Sequence, residues 1–331
     1  MARLDVLDLV ERARGGDQRA VGRLLSLVES GDVARLREAT AALAPHTGHA
    51  HVVGLTGPPG VGKSTTTSAL VTALRKRGDR VGVLAVDPSS PFSGGALLGD
   101  RIRMGEHGTD EGVFIRSMAT RGHLGGLSWA TPAALRVLDA AGCDTVLVET
   151  VGVGQSEVEV VALADTTVVL LAPGTGDGVQ AAKAGILEIA DVFVVNKADR
   201  DGAAETARQI RNMMTFGEKR DWTPPVLKTV AARGEGLDAL VDALGEHREW
   251  ARRTGERDRR RAARAGAEIE AVTLERLRAR IAALRGASGL DSLAGRVAAG
   301  DLDPYAAADV LVPAISGLNG AGVTVAGPSG A

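Results

Sequence analysis

The sequence predicts an α/β fold: a doubly wound, mostly parallel sheet preceded by a helical prefix and followed by a helical extension. Three observations predict it. From His51 onward short β-branched runs alternate with helical stretches, the first run leads into a Gly-rich turn and a helix, and strand signals stop near Ala243. Of 331 residues 44% are hydrophobic but only 2% aromatic, so the core must be built from Val, Leu, Ile and Ala, which suits a sheet buried on both faces.

In order along the chain, the stretch up to Pro45 places Leu24, Leu25, Val28, Val33 and Leu36 at helical spacing, with a break at Gly31-Asp32. Strands are expected at His51 to Thr56, Arg80 to Asp87, Cys143 to Glu149, Thr167 to Ala172 and Val192 to Asn196, and the run Val226 to Val230 leads into Ala231-Ala232. Arg252 to Arg285 is a charged helical pattern with Ile269, Val272, Leu277, Ile281 and Leu284 on an apolar stripe, which needs a partner surface. Arg259, Arg260 and Arg261 lie among acidic residues there and read as a solvated helix face rather than a nucleic-acid site. The expected divisions are residues 1–46, a helical prefix; 47–246, the main domain; 247–316, a C-terminal helical region; and 317–331, a Gly-rich flexible tail.

A net charge of -2, from 39 Lys+Arg against 41 Asp+Glu, gives no global field that would hold the chain on nucleic acid or an anionic membrane. Cys143 is the only cysteine, so a disulfide framework or a cysteine-rich metal site within one chain is excluded. Arg3, Asp5, Asp8, Glu11 and Arg12 interrupt any secretory signal, and the apolar run Val168 to Ala172 is far short of the ~20 residues that span a bilayer. A cytoplasmic protein is the expectation.

Gly57-Pro58-Pro59-Gly60-Val61-Gly62-Lys63-Ser64 fits G-x-x-x-x-G-K-S between a strand signal and a helix, the context that a P-loop NTPase requires. Its glycines let backbone N–H groups converge on phosphate, the helix N-terminus adds its dipole, and Lys63 brings a point charge to the β/γ-phosphates. Ser64 is the expected Mg²⁺ ligand, with Thr65 completing the loop. Magnesium takes hard oxygens, and Asp87, Asp100 and Glu149 are the acids expected near the phosphates, two of them directly after apolar runs.

Asn196-Lys197-Ala198-Asp199, directly after an apolar run, is the N-K-x-D arrangement that reads guanine. Its carboxylate accepts the ring N–H and the exocyclic amine, and adenine would leave that carboxylate unpaired. Ala231-Ala232 is the expected source of a backbone N–H for the guanine carbonyl. The expectation is therefore a GTPase with GTP or GDP bound. Glu149-Thr150-Val151-Gly152 stands where D-x-x-G is usual, and the following residue is Val153 rather than a water-orienting glutamine, so intrinsic hydrolysis should be slow. Gln155 would substitute only after a rearrangement.

These segments, together with Val86 to Ser90, Ser93-Gly94-Gly95, Leu98 to Met104, Arg121-Gly122-His123-Leu124-Gly125-Gly126, Glu149 to Glu157 and Asp301 to Tyr305, resemble the MeaB/ArgK/MMAA family of metallochaperone GTPases over nearly the whole chain. The resemblance implies a chaperone of adenosylcobalamin-dependent acyl-CoA mutases, such as methylmalonyl-CoA mutase, that gates cofactor loading and protects the mutase. It also implies a homodimer formed through the C-terminal helices, which would cover the Ile269 stripe. Gly176-Asp177, Gln180 and Lys183 match the family's third switch loop, whose lysine is expected to pair with Glu149 in one nucleotide state. On this reading Lys63, Glu149, Asp100 and Lys183 are the catalytic set, and Arg121, Gln155, Asp177, Gln180 and Lys183 the switch residues. Gly178, Ala184 and Ala231 depart from the family pattern.

Three other readings compete. A nickel-delivery GTPase would need a metal segment, for which His46, His49 and His51 are the close histidines and no Cys or carboxylate joins them. An ATP-driven deviant P-loop protein would carry a lysine early in the loop, where this chain has Pro58-Pro59. A nucleotide-dependent scaffold with little turnover is the reading that Val153 favours.

Overall fold

The computed structural model describes residues 5–30, 32–88, 105–120, 130–150, 162–174, 186–215, 221–283 and 289–316. It forms two compact units, Met1–Ala262 and Ala263–Ala331. In the first, helices α1 (Val6–Arg14), α2 (Gln18–Glu29) and α3 (Val33–Leu43) each begin at an aspartate, Asp5, Asp17 or Asp32, whose carboxylate accepts N–H groups of the first turn. Leu24, Leu25, Val28 and Leu36 are buried as their spacing predicts, whereas Val33, at the first position of α3, is exposed.

Seven strands follow: β1 (His51–Thr56), β2 (Val81–Pro88), β3 (Val113–Thr120), β4 (Thr145–Thr150), β5 (Thr166–Leu171), β6 (Val192–Val195) and β7 (Val226–Lys228). They pair in the order β3-β2-β4-β1-β5-β6-β7, every neighbouring pair parallel. Strand residues alternate between the two faces. Val52, Val146 and Val148 meet the prefix helices and α5 (Ala130–Ala140), while Val53, Leu55 and Leu147 meet α4 (Lys63–Lys76) and α7 (Leu237–Arg253). Val169, Leu171, Phe193 and Val195 pack under α6 (Ala203–Thr215). Both faces are thus covered, which is why the strands read as continuous apolar runs.

β3 is a strand that the sequence reading lacks. It lies at the sheet edge and carries Arg116, whose Nε donates to Glu29 Oε2 at 2.9 Å, so its pattern is broken by a charge that holds α2 in place. Cys143 precedes β4 rather than starting it; burial pushes its thiol up to about 12, which leaves it unreactive.

The N-terminal edge of the sheet has a repeated device. Asp144, Asp165 and Asp191 immediately precede β4, β5 and β6, and each accepts a backbone N–H from the start of the neighbouring strand: Arg80 at 2.8 Å, Val52 at 3.1 Å and Thr167 at 2.8 Å. Helix α8 (Glu256–Ala283) begins here. Arg260 donates to both oxygens of Asp191 at 2.7 and 2.9 Å, and Arg261 to both oxygens of Asp165 at 2.6 and 3.1 Å. The solvated-face expectation therefore holds only for Arg259, whose side chain is 80% exposed. Charge spacing along a helix cannot reveal two aspartates buried at strand starts far away in sequence.

A buried polar chain crosses the same region. His51 Nε2 and His247 Nδ1 each lie 2.7 Å from Thr166 Oγ1, and His247 Nε2 lies 3.2 Å from Asp191 Oδ1. A carboxylate only accepts, so the His247 nitrogen facing Asp191 carries the proton. Trp222 and Trp250 pack on the His247 ring with centroids 5.0 and 5.3 Å away.

In the second unit α9 (Leu290–Ala298) and α10 (Pro304–Ser316) bury Leu293 and Ala307. Asp303 caps α10 by accepting from Tyr305 N at 2.9 Å and Ala306 N at 3.1 Å. Ile269, Val272 and Leu277 of the expected stripe are exposed on α8, as are Tyr305, Val310 and Val312 on α10; Leu284 lies outside the described residues. No described helix is long and apolar enough to cross a membrane.

The buried chain predicts a pH dependence. Burial holds the His51 ring down at about 3, so the folded protein keeps it neutral while an unfolded chain binds a proton below about 6.5. Stability contributed here is complete above about pH 6.5 and falls as pH drops toward 3, by at most about 1.4 kcal/mol per pH unit. Desolvation alone would raise the Asp191 pKa, but hydrogen bonds from His247 and Arg260 outweigh it and bring it to about 2, so its contribution is lost only below about pH 3.8. Urea midpoints measured from pH 7 to pH 4 should fall, and fall less steeply in His51→Gln; parallel slopes would remove His51 from the account.

Candidate functional site

Gly57 to Gly62 links β1, at the centre of the sheet, to α4. Gly57 has φ 139°, and a Cβ there would collide with the Leu170 carbonyl of β5. Gly62 has φ 97°, and a Cβ would collide with the Asn196 amide. Both positions require glycine for conformation and for space. Val61 is fully buried and anchors the loop to the core, while Pro59 and Gly60 are exposed and Pro58 is half-buried. Thr65 is exposed on the first turn of α4.

Lys63 is buried at the start of α4, and its Nζ donates to Gly57 O at 2.6 Å and to Pro58 O at 3.2 Å. Ser64 Oγ donates to Glu149 Oε1 at 2.6 Å. Glu149 is buried near the end of β4, in register with Leu55 of β1 and Ala85 of β2, so strand pairing alone brings it beside the loop. The Asp87 backbone reaches the C-terminal end of β2, opposite Ala119 of β3. A serine hydroxyl and a carboxylate in contact at a buried strand end are the hard oxygen donors that magnesium takes, so these residues fit that ion.

Asn196 continues from β6 and is buried. Its Nδ2 donates to Val61 O at 2.9 Å, while its Oδ1 accepts from Thr229 Oγ1 at 3.2 Å and from Ala231 N at 3.1 Å. One amide thus joins the phosphate loop to the segment after β7. Lys197 is the one non-glycine described residue with positive φ, 57°, and its Nζ donates to Gly60 O at 2.6 Å. That conformation turns Ala198 N toward Thr229 O, 3.0 Å away, and leaves the Asp199 carboxylate in the open. The Ala231 N–H is engaged by Asn196, whereas Ala232 is exposed beside it.

The structure therefore brings Gly57 to Ser64, Glu149, Asn196, Lys197, Ala231 and Asp199 to one edge, where the parallel strands end. Ligands of open α/β sheets gather at that edge. Asp100, Arg121, Gly152, Val153, Gln155, Asp177, Gln180 and Lys183 lie outside the described residues, as does the side chain of Asp87. Thr229 and Arg233 escaped the sequence reading. Thr229 lies in the Val226 to Val230 run that precedes Ala231-Ala232, and nothing in its local sequence marks the contact of its hydroxyl with Asn196; Arg233 faces Asp199 across 3.7 Å.

The family model of methylmalonyl Co-A mutase-associated GTPase MeaB matches residues 21–285. A Pyrococcus abyssi protein named as a GTPase is 48% identical over 314 residues, covering 94% of this chain and 97% of that protein. The mouse methylmalonic aciduria type A homolog, mitochondrial, is 42% identical over 210 residues, covering 62% of this chain and 50% of its own length. Among solved structures, a LAO/AO transport system kinase superposes with a TM-score of 0.68 at 26% identity, covering 96% of this chain and 99% of that one.

Replacing Asn196 by Ala deprives Val61 O and Ala231 N of their buried partner. A loss of about 1–3 kcal/mol is expected, seen as a lower Tm in thermal unfolding of the nucleotide-free chain. An unchanged Tm would show that the amide does not join the two loops.

Proposed function

This chain belongs to the MeaB family of methylmalonyl-CoA mutase-associated GTPases, and on that premise we propose that it hydrolyses GTP to gate the loading and protection of an adenosylcobalamin-dependent acyl-CoA mutase. The observation that carries the nucleotide reading is the Asn196 amide, which bonds the phosphate loop and the base loop together at the C-terminal strand edge. Asp199 stands three residues on, exposed, where its carboxylate would accept the guanine ring N–H and exocyclic amine.

In this proposal the loop N–H groups from Gly57 to Thr65 and the α4 dipole bind the phosphates, and Lys63 exchanges its two carbonyl partners for β/γ-phosphate oxygens. Ser64 and Glu149 would hold Mg²⁺, with Asp87 and Asp100 as further acids of that set; bound there, the ion would neutralise charge on the phosphates. Gly152 would sense the γ-phosphate. Lys197 supports the loop from Gly60, and the Ala232 N–H is better placed than that of Ala231 to meet the guanine carbonyl, since Ala231 already serves Asn196.

Val153 cannot orient an attacking water, so the catalytic arrangement is completed from elsewhere. We assign that task to the segments holding Arg121 and Asp177, Gln180 and Lys183, set against the γ-phosphate when the mutase docks, with Gln155 as a further switch residue. By linkage, the mutase then binds with an affinity that depends on the nucleotide. The exposed Ile269, Val272 and Leu277 of α8 support a homodimer whose second copy covers them.

GTP turnover with and without a purified cobalamin-dependent acyl-CoA mutase tests the proposal. Slow intrinsic turnover should accelerate with the mutase, fall in Arg121→Ala and Lys183→Ala, and vanish in Lys63→Ala, which loses a charge-assisted contact of roughly 1.5–3 kcal/mol. Acceleration that survives both switch substitutions would remove those loops from the mechanism. No acceleration by any such mutase would favour a nucleotide-dependent scaffold.

A further inference from the structure

The segment after β7 closes into a tight loop. Val230 N donates to Glu235 O at 3.0 Å and Glu235 N to Val230 O at 3.3 Å, with Arg233 N on Val230 O at 2.9 Å and Gly234 N on Ala231 O at 3.1 Å inside. From this frame the Arg233 guanidinium uses two edges. Its Nε lies 2.7 Å from Glu235 Oε1 and its Nη2 donates to Oε2 at 3.4 Å, while Nη1 faces Asp199 Oδ2 at 3.7 Å. The same loop grips Asn196 through Ala231 N and the Thr229 hydroxyl.

We propose that Arg233 is a positioning residue for base specificity: clamped by Glu235, it holds the Asp199 carboxylate in the orientation that accepts the guanine N–H and 2-amino groups. This rests on the reading of Asp199 given above. Asp199 lies on an exposed turn, with its side chain 39% accessible, so in water it samples several rotamers unless something selects one. An exposed ion pair contributes little to folding. Selecting the binding rotamer in advance, however, lowers the ordering cost of binding, and a base stacked over the pair would strengthen it by excluding water. The planar guanidinium is what makes the arrangement work, because one edge fixes its plane on Glu235 while the other is directed at Asp199. A lysine keeps the charge but cannot serve both edges in fixed geometry.

The 2-amino group gives a direct readout, because inosine 5′-diphosphate differs from GDP only by lacking it. Calorimetric titration of the full chain with both nucleotides should show Kd for GDP rising about two- to fivefold in Arg233→Ala and Arg233→Lys, and less in Glu235→Gln. Kd for the inosine nucleotide should rise less, so the discrimination between the two shrinks. Equal weakening of both nucleotides, as expected if Arg233 touched ribose or phosphate or merely supported the fold, would overturn the proposal, and so would an unchanged ratio. Asp199→Asn is measured in parallel with xanthosine diphosphate. If it fails to shift preference toward xanthine, the reading of Asp199 itself falls; if it shifts and the Arg233 variants leave the ratio alone, only the role of Arg233 falls.

Discussion

The side-chain amide of Asn196 is the contact on which the geometry of the nucleotide edge depends. The segments to which the proposed function assigns phosphate and base lie far apart in sequence, one after β1 and the other after β6 and β7, and strand pairing does not connect their loops directly. Asn196 spans them, with one hydrogen bond to Val61 O and two from the β7 segment. Its burial makes that register costly to change, because each of these polar groups lacks water to replace a lost partner. Gly62 belongs to the same constraint: the amide occupies the space where any side chain at that position would stand.

Much of this edge is legible in the sequence because its chemistry requires particular residue types at short range. A phosphate loop needs glycines before Lys63 and Ser64, and a base-reading turn needs Asn196 and Asp199 three residues apart, so local spacing carries the information. Glu149 is legible for a different reason: it ends an apolar run, and parallel pairing with β1 then sets its height beside Ser64. Arg233 is not legible this way. Its effect depends on a loop closing between Val230 and Glu235, which brings a guanidinium toward a carboxylate that precedes it in the chain by the whole of α6 and β7.

The opposite edge shows where sequence patterns give out. Ala164-Asp165 before β5 and Ala190-Asp191 before β6 look like ordinary strand starts, and Arg260-Arg261 looks like one more piece of a charged helix. Only the fold sets them face to face. Two buried carboxylates would be costly alone; here each accepts a strand N–H and a bidentate arginine, so each charge is both paired and hydrogen-bonded. β3 was missed for a related reason, since an edge strand that carries Arg116 toward α2 lacks the uniform apolar run of the central strands.

The two edges divide the work of the sheet. At the C-terminal edge Lys63 rests on loop carbonyls and Ser64 on the Glu149 carboxylate; in the proposed function a phosphate would take the place of those carbonyls, and a metal ion would be held by Ser64 and Glu149 together. At the N-terminal edge the buried carboxylates are paired within the protein, and close polar contacts run from His51 through Thr166 and His247 to Asp191. A site that must exchange partners during a reaction cycle has to be built from contacts of the first kind. A frame that keeps β1, β5 and β6 in register is built from contacts of the second kind, because separating a buried carboxylate from its arginine leaves an uncompensated charge.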